Sequence, residues 1–289
     1  MKTDHCLLCN STLLKSSHQI KYLNNNYLYD FCLDCQFTFQ NPWPPMEIEK
    51  IYNDPKYWNS SDVYNDSNNS EFSDESSYKA YQRKRVGEAQ KRYEKLKKYL
   101  PSKGSVLEIG CANGIFLSEW KKNGWNCLGV DPAKEMIEYG IENYGLDLKC
   151  SKWEDLNTEK RLFDCITMWG TDGNFYDFKA GFNKINNSLK DNGIFTFTYQ
   201  DFKHPIRKIF KQIKSNCYHV LYNFSKKSIY YLMDSLDFEI IEHSLTWQKT
   251  RFSHIKKILG LKTDGIDFNI TVPAISYNLV VARKKPRKI

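Results

Sequence analysis

The chain has 289 residues, a formal charge of +8 and nine cysteines. That length holds one sizeable core plus a small module, no apolar run approaches membrane-spanning length, and the N-terminus meets charged and cysteine-containing sequence without a signal-peptide core. These features argue against a membrane-spanning protein and a secreted disulfide framework; they point to a cytoplasmic chain whose cysteines serve as thiols or metal ligands.

Cys6-Leu7-Leu8-Cys9 and Cys32-Leu33-Asp34-Cys35 are two C-x-x-C knuckles separated by 22 residues, with a polar, hairpin-like stretch around Asn24-Asn25-Asn26 between them. Each knuckle can give two sulfurs to one tetrahedral ion, and Zn²⁺ is the ordinary occupant of a closed four-thiolate site. A redox disulfide pair is the competing reading, but it does not account for two matched knuckles. A module this small rarely folds on its hydrophobic core alone, so the metal is expected to be structural. The stiff run Asn41-Pro42-Trp43-Pro44-Pro45 marks the exit of a module spanning 1–45.

Residues 46–100 read as a linker, an acidic loop and a helix. A short helix over 46–58 would dock through Ile48, Ile51, Tyr52 and Tyr57, and Asn59 to Ser77 carries five acids and no base, as a solvated loop or a lid does. From Tyr78 to Leu100 apolar residues recur close to a 3.6 period until Pro101, predicting a long amphipathic helix with a basic outer face.

The stretch from Ser105 to Asp131 reads as strand, glycine turn, helix and second strand. Gly110 and Gly114 bracket the turn, where absent side chains let backbone N–H groups approach a ligand. Asp131, about 20 residues further on, sits where an acid accepts hydrogen bonds from both hydroxyls of a ribose. The loop Glu108-Ile109-Gly110-Cys111-Ala112-Asn113-Gly114 has its third glycine out of register for G-x-G-x-x-G, and no Gly-Lys-Ser/Thr follows to make a P-loop. Alternating elements continue with strands at Leu146–Cys150, Phe163–Trp169, Ile194–Tyr199, Phe238–Ile241 and Ser276–Ala282, a helix near Phe178 to Leu189, and a turn at Lys190–Gly193. Such βα repetition implies an α/β fold with a parallel sheet.

E-x-G-x-A-x-G followed by a ribose acid resembles the first two motifs of class I S-adenosylmethionine-dependent methyltransferases, with Ala112 in place of the usual middle glycine. The resemblance implies a Rossmann-like seven-stranded sheet whose last strand is antiparallel, with helices on both faces, over 101–289. It places Glu108, Gly110, Cys111, Ala112, Asn113 and Gly114 around the methionine end of the cofactor and Asp131 on the ribose. The turn holding Lys152, Trp153 and Glu154 would embrace the adenine, and Trp169 would complete the set after the fourth strand.

Residues 169–177 and 200–204 should face the transferable methyl group, because ligands bind beyond the carboxyl ends of the strands. The family commonly has Glu-His before an Asp in the first of these; Gly173 and Asn174 stand there, leaving Asp172 and Tyr176 as candidates. A substrate-side insertion of about 200–235 includes the basic amphipathic stretch 202–214, which suits a solvated face first, and otherwise an anionic membrane surface or a phosphate-bearing substrate. His219, with Tyr222, Phe224 and Ser225, resembles an element of zinc-knuckle methyltransferases acting on sugars. It either accepts the acceptor's proton or fixes a turn. The expected activity is methylation of O, N or C of a small metabolite, sugar-like by resemblance. RNA methylation and a non-catalytic scaffold are the alternatives; nucleic acid is not expected, because the basic stretches are scattered.

Overall fold

A computed structural model of the chain describes residues 2–22, 25–42, 75–158, 162–171, 173–201, 203, 220–258, 262 and 267–286. The anticipated helix at 46–58, most of the acidic loop, nearly all of the basic stretch 202–214, Asp172 and His219 lie outside these residues. None of the described helices is long and apolar enough to cross a membrane.

The principal sheet has seven strands in the order β10-β11-β8-β7-β4-β5-β6: β4 (Ser105–Ile109), β5 (Asn126–Asp131), β6 (Asp147–Cys150), β7 (Phe163–Trp169), β8 (Leu189–Gln200), β10 (Phe238–Arg251) and β11 (Asn269–Lys284). Strands β4 to β8 pair in parallel, whereas β11 runs antiparallel to both β8 and β10. This is the Rossmann-like seven-stranded architecture that the resemblance implies. Central strands are apolar on both faces because helices cover both, and Ile109, Met168, Phe197 and Val280 form one buried row across the sheet. That row continues to Val130 on one side and His243 on the other, so the carboxyl ends of the parallel strands β4, β5, β7 and β8 lie together at one end of the sheet.

Helix α1 (Glu75–Leu96) precedes the sheet, and its Tyr93 meets Trp120 of α2 (Ile115–Lys122) edge-on at 5.2 Å. Helices α3 (Lys134–Tyr144), α4 (Phe178–Ser188), α5 (Lys226–Ser235) and α6 (Phe252–Ile258) follow. Local chemistry fixes their starts. The Asp177 side chain accepts the Ala180 N–H at 2.9 Å, and Ser225 and Ser228 form a reciprocal capping box at α5.

A second, four-stranded antiparallel sheet joins β1 (Leu14–Tyr22), β2 (Asn25–Cys32) and β3 (Thr38–Gln40) to β9 (Tyr222–Asn223), a strand from far along the chain: Thr38 pairs with Asn223 and Phe39 with Tyr222. Phe37 lies 5.1, 5.6 and 5.3 Å from the rings of Phe178, Tyr222 and Phe224, so the cysteine-bearing sheet shares the main core.

Two elements differ from expectation. The Lys190–Gly193 turn lies inside β8 as a bulge: pairing jumps from Phe163↔Leu189 to Cys165↔Ile194, and Asn192 has φ +63°. Turn residues thus supply a left-handed kink without ending the strand. Strands β10 and β11 also run well beyond the predicted segments, pairing with each other from Trp247/Pro273 to Arg251/Asn269 past the edge of β8. Their polar, partly exposed composition hides them from a search for buried apolar runs.

Candidate cofactor site and cysteine cluster

The loop between β4 and α2 is pinned to the neighbouring strand, with the N–H groups of Gly110 and Cys111 both donating to Val130 O at 2.8 and 3.2 Å. Gly110 has φ +69°, and a Cβ there would lie 2.2 Å from Thr171 Cγ2, so the backbone needs a glycine on two counts. Ala112 occupies the left-handed region at φ +46° despite its side chain, a conformation costing on the order of 1 kcal/mol. Its retention is explained by the partner of its amide: Ala112 N–H donates to Asp131 Oδ2 at 2.9 Å. The other oxygen of Asp131 accepts from Ala133 N–H at 2.8 Å.

Asp131 is therefore fixed by two backbone donors at the carboxyl end of β5. A carboxylate offers about four acceptor positions, which leaves one on each oxygen for a diol. Burial pushes Asp131 up to about 6, partly offset by its two amide donors. Glu108, buried at the end of β4, is pushed up to about 8, chiefly by burial, and its Oε2 has no hydrogen-bond partner among the described residues. Cys111 is buried, and its thiol is raised by the same cause.

The turn after β6 is held from beneath. Lys184 Nζ, on α4, donates to the carbonyl oxygens of Trp153, Glu154 and Leu156 at 2.6, 2.9 and 2.6 Å and sits 4.5 Å from the Trp153 ring centroid. Trp153 is buried, with its indole N–H donating to Gly181 O at 2.9 Å. The Glu154 carboxylate accepts the Tyr176 N–H at 2.8 Å, linking this turn to the segment after β7. Lys152 Nζ lies 4.9 Å from the Tyr176 ring centroid. Of the proposed acid/base residues, Tyr176 alone belongs to the described chain, half-buried on the rim. Trp169 is half-buried at the end of β7. Lys184 carries no sequence motif; its only signal was its place one helical turn after Gly181 on a helix expected beside the sheet.

At the far end of the shared core, the Cys6, Cys9, Cys32 and Cys35 sulfurs all lie within 4.8 Å of one another. Cys6 and Cys35 sulfurs are 3.5 Å apart and those of Cys9 and Cys32 3.6 Å. A tetrahedral ion with Zn–S bonds of about 2.3 Å needs sulfur–sulfur edges of about 3.8 Å, so the cluster could hold one ion. The contact with Cys35 draws the Cys6 thiol down to about 6.

With this geometry in hand, comparison with known proteins is decisive for the family. Residues 81–243, more than half of the chain, match the family model described as "Methyltransferase domain". The chain belongs to this methyltransferase family. An uncharacterized protein of Methanocaldococcus jannaschii is 29% identical over 164 residues, 56% of this chain and 61% of that relative. The chain thus spans less than two thirds of the length of the curated relative it matches. Among solved structures, an S-adenosylmethionine-dependent methyltransferase of Thermotoga maritima, described as a possible histamine N-methyltransferase, superposes with a TM-score of 0.50 at 20% identity, covering 73% of this chain and 95% of that one. The YcgJ protein of Bacillus subtilis does so with a TM-score of 0.50 at 16% identity, covering 71% and 100%. Both likenesses concern the fold.

The methyltransferase domain's cofactor is S-adenosylmethionine, and the site fits it on three observations. Gly110 leaves no room for a side chain in the loop, Asp131 has acceptor capacity left for a diol, and Glu108 carries a buried acceptor with no partner among the described residues.

Proposed function

We propose that the protein is an S-adenosylmethionine-dependent methyltransferase acting on a small metabolite, a sugar, nucleotide-linked sugar or surface-glycan precursor. The observation that carries the enzyme reading is Asp131, locked by the Ala112 and Ala133 amides at the rim beside a glycine loop. When bound, the cofactor supplies a methyl group on a positively charged sulfur, open to displacement by a nucleophile. The chain's work is to hold the ribose through Asp131, to let the ligand approach the Gly110–Gly114 backbone closely, to line up the acceptor and to take one proton. Tyr176, Asp172 and His219 are the residues proposed for that last step, the first two following β7 in sequence and the last preceding β9.

The sugar assignment is supported by the His219-Tyr222-Phe224-Ser225 element together with the cysteine cluster, the pairing through which the resemblance was drawn. The four cysteines are proposed to hold a structural Zn²⁺ outside the chemistry. The test is mass spectrometry of metabolite extract incubated with purified protein and S-adenosylmethionine carrying a labelled methyl group. A labelled sugar-containing product is expected; label appearing solely in RNA would overturn the acceptor class, and no labelled product from any extract would overturn the activity.

A further inference from the structure

The four-stranded cysteine sheet has two faces, and the main core uses one of them. Phe39 and Tyr222 pair on that face, and Asp30, the partner of Phe39 on β2, is turned the same way and accepts from Asn41 Nδ2 at 2.6 Å. The other face carries the register row Lys15, Phe31, Thr38 and Asn223, since directly paired residues of antiparallel strands share a face. Tyr29, two residues from Phe31 along β2, belongs to it, and so does its partner His18. Both ends of the connection between β8 and β9 reach this second face. Lys203 Nζ lies 3.9 Å from the Phe31 ring centroid, and Val220 O accepts from Tyr29 Oη at 2.7 Å.

Positive charge collects over the two rings. The His18 imidazole stacks on Tyr29 with centroids 4.5 Å apart and planes 9° from parallel, and Lys15 Nζ lies 5.3 Å from the centroid of Phe31, the ring that Lys203 also approaches. The Lys203 ammonium is felt at His18, whose imidazole is lowered first by burial and then by that charge. Among the described residues, His18 Nε2 and Asn223 Oδ1 are buried without a hydrogen-bond partner. Each such group costs about 1–3 kcal/mol, so two on one face of a small sheet call for a ligand. With the Ser17 hydroxyl donating to His18 Nδ1 at 3.0 Å, Nε2 carries the ring proton and is a donor. Ammonium groups and an N–H match the oxygens of a phosphate; an amide oxygen beside them matches a hydroxyl.

We propose that the second face of the cysteine sheet is a phosphate site for the acceptor, with Lys203 and the His18 N–H holding phosphate oxygens, Lys15 adding charge over Phe31, and Asn223 Oδ1 accepting from a hydroxyl of the attached sugar. The proposal rests on the methyltransferase reading and narrows its acceptor to a phosphate-bearing one. Lys203 follows β8 directly, its amide fixed by Asp201 Oδ1 at 2.9 Å. An acceptor anchored there by its phosphate starts from the end of the sheet at which the glycine loop and Asp131 lie. The cysteine module thereby takes part in recognition, and the stack on Tyr29 fixes the plane of the His18 ring.

Calorimetry on the full zinc-loaded chain tests it, with pyrophosphate and S-adenosylhomocysteine titrated separately. His18→Phe keeps the stack on Tyr29 and removes the ring nitrogens; it should weaken pyrophosphate by about tenfold or more, the worth of a hydrogen bond to a charged group, and leave S-adenosylhomocysteine within about twofold. Asn223→Asp, close in shape, sets a like charge beside the anion and should produce the same split. Should either fail to fold, Lys203→Met, at an exposed position, decides with the same expected loss. Wild-type protein that ignores pyrophosphate, or variants that bind it as the wild type does, would overturn the site. Failure of S-adenosylhomocysteine to bind the wild type is a separate outcome, which removes the methyltransferase reading and with it the acceptor. The labelled product formed from metabolite extract identifies the source of the phosphate: a phosphate-bearing product is expected, and a product without phosphate would overturn the acceptor's part.

Discussion

The hydroxyl of Tyr222 accepts the backbone N–H of Phe175 at 3.1 Å, so a residue of β9 holds the segment that follows β7. One residue earlier, Leu221 N–H donates to Gly173 O at 2.8 Å. On its other side β9 pairs with β3, three residues beyond Cys35, and Tyr29 Oη donates to Val220 O at 2.7 Å. The cysteine cluster and the segment after β7 are thereby joined through a single short strand.

Elemental analysis should therefore find one zinc per chain, and stripping it should lower the melting temperature. Hydrogen exchange locates the damage. The amides of Phe175 and Leu221 should lose protection when the metal leaves, while those of Cys127–Asp131, deep in the parallel sheet, keep it. Metal-free protein with unaltered exchange at Phe175 would show that the cluster does not support the rim.

Asp131→Ala should weaken S-adenosylhomocysteine by about tenfold to a hundredfold, since hydrogen bonds to a charged group contribute about 1.5–3 kcal/mol. Asp131→Asn keeps one acceptor toward the Ala112 or Ala133 amide and should fall between. Calorimetry measures both, and an Asp131→Ala protein with wild-type affinity would remove the ribose assignment.

The parallel half of the sheet was legible because its signals are local: a glycine turn, an apolar strand on each side, and an acid at a fixed distance. Knuckle spacing made the cysteine cluster legible in the same way. What stayed hidden depends on contacts far apart in sequence. Nothing in Tyr222-Asn223 announces a strand, since two residues carry no period, and its partner Phe39 lies in the cysteine module. Arg92 read as one of many basic residues on an outer face, yet the structure buries it against Phe116 and Trp169. Helical periodicity counts apolar residues, so an arginine packed against aromatic rings registers on the wrong side of the count.

Lys184→Met should detach the turn at 152–156 from α4. Three carbonyls within 2.9 Å of one ammonium lose that donor, with Trp153 O keeping the Leu156 N–H at 3.3 Å, at a cost of about 2 kcal/mol or more. The melting temperature should drop, and affinity for adenosine-containing ligands should fall for S-adenosylhomocysteine and methylthioadenosine alike. Thermal unfolding and calorimetry on the same preparation check it; a stable Lys184→Met protein with unchanged affinity for both would show that the turn is held by other means.

Ligand-free protein should lose stability as pH rises from about 4.5 to about 8, and Glu108 is the cause. Its carboxyl ionises near the ordinary glutamate value in the unfolded chain but is pushed up to about 8 by burial in the folded one. Between those values the folded state holds a proton that the unfolded state has released, so the slope of stability with pH is negative. Asp131, raised to about 6, adds to the acid half of that window. The imidazoles of His18 and His243, lowered chiefly by burial, act in the opposite sense, since charging them on acidification favours unfolding. Above about pH 6.5, the ordinary histidine value, the histidines no longer contribute and the Glu108 effect stands apart. Melting temperatures of wild type and Glu108→Gln, measured from pH 5 to pH 8.5 in the zinc-loaded protein, isolate it, because every other titrating group is common to both. The wild type should lose stability relative to the variant as pH rises; parallel curves would mean that Glu108 ionises normally and that its burial carries no electrostatic cost.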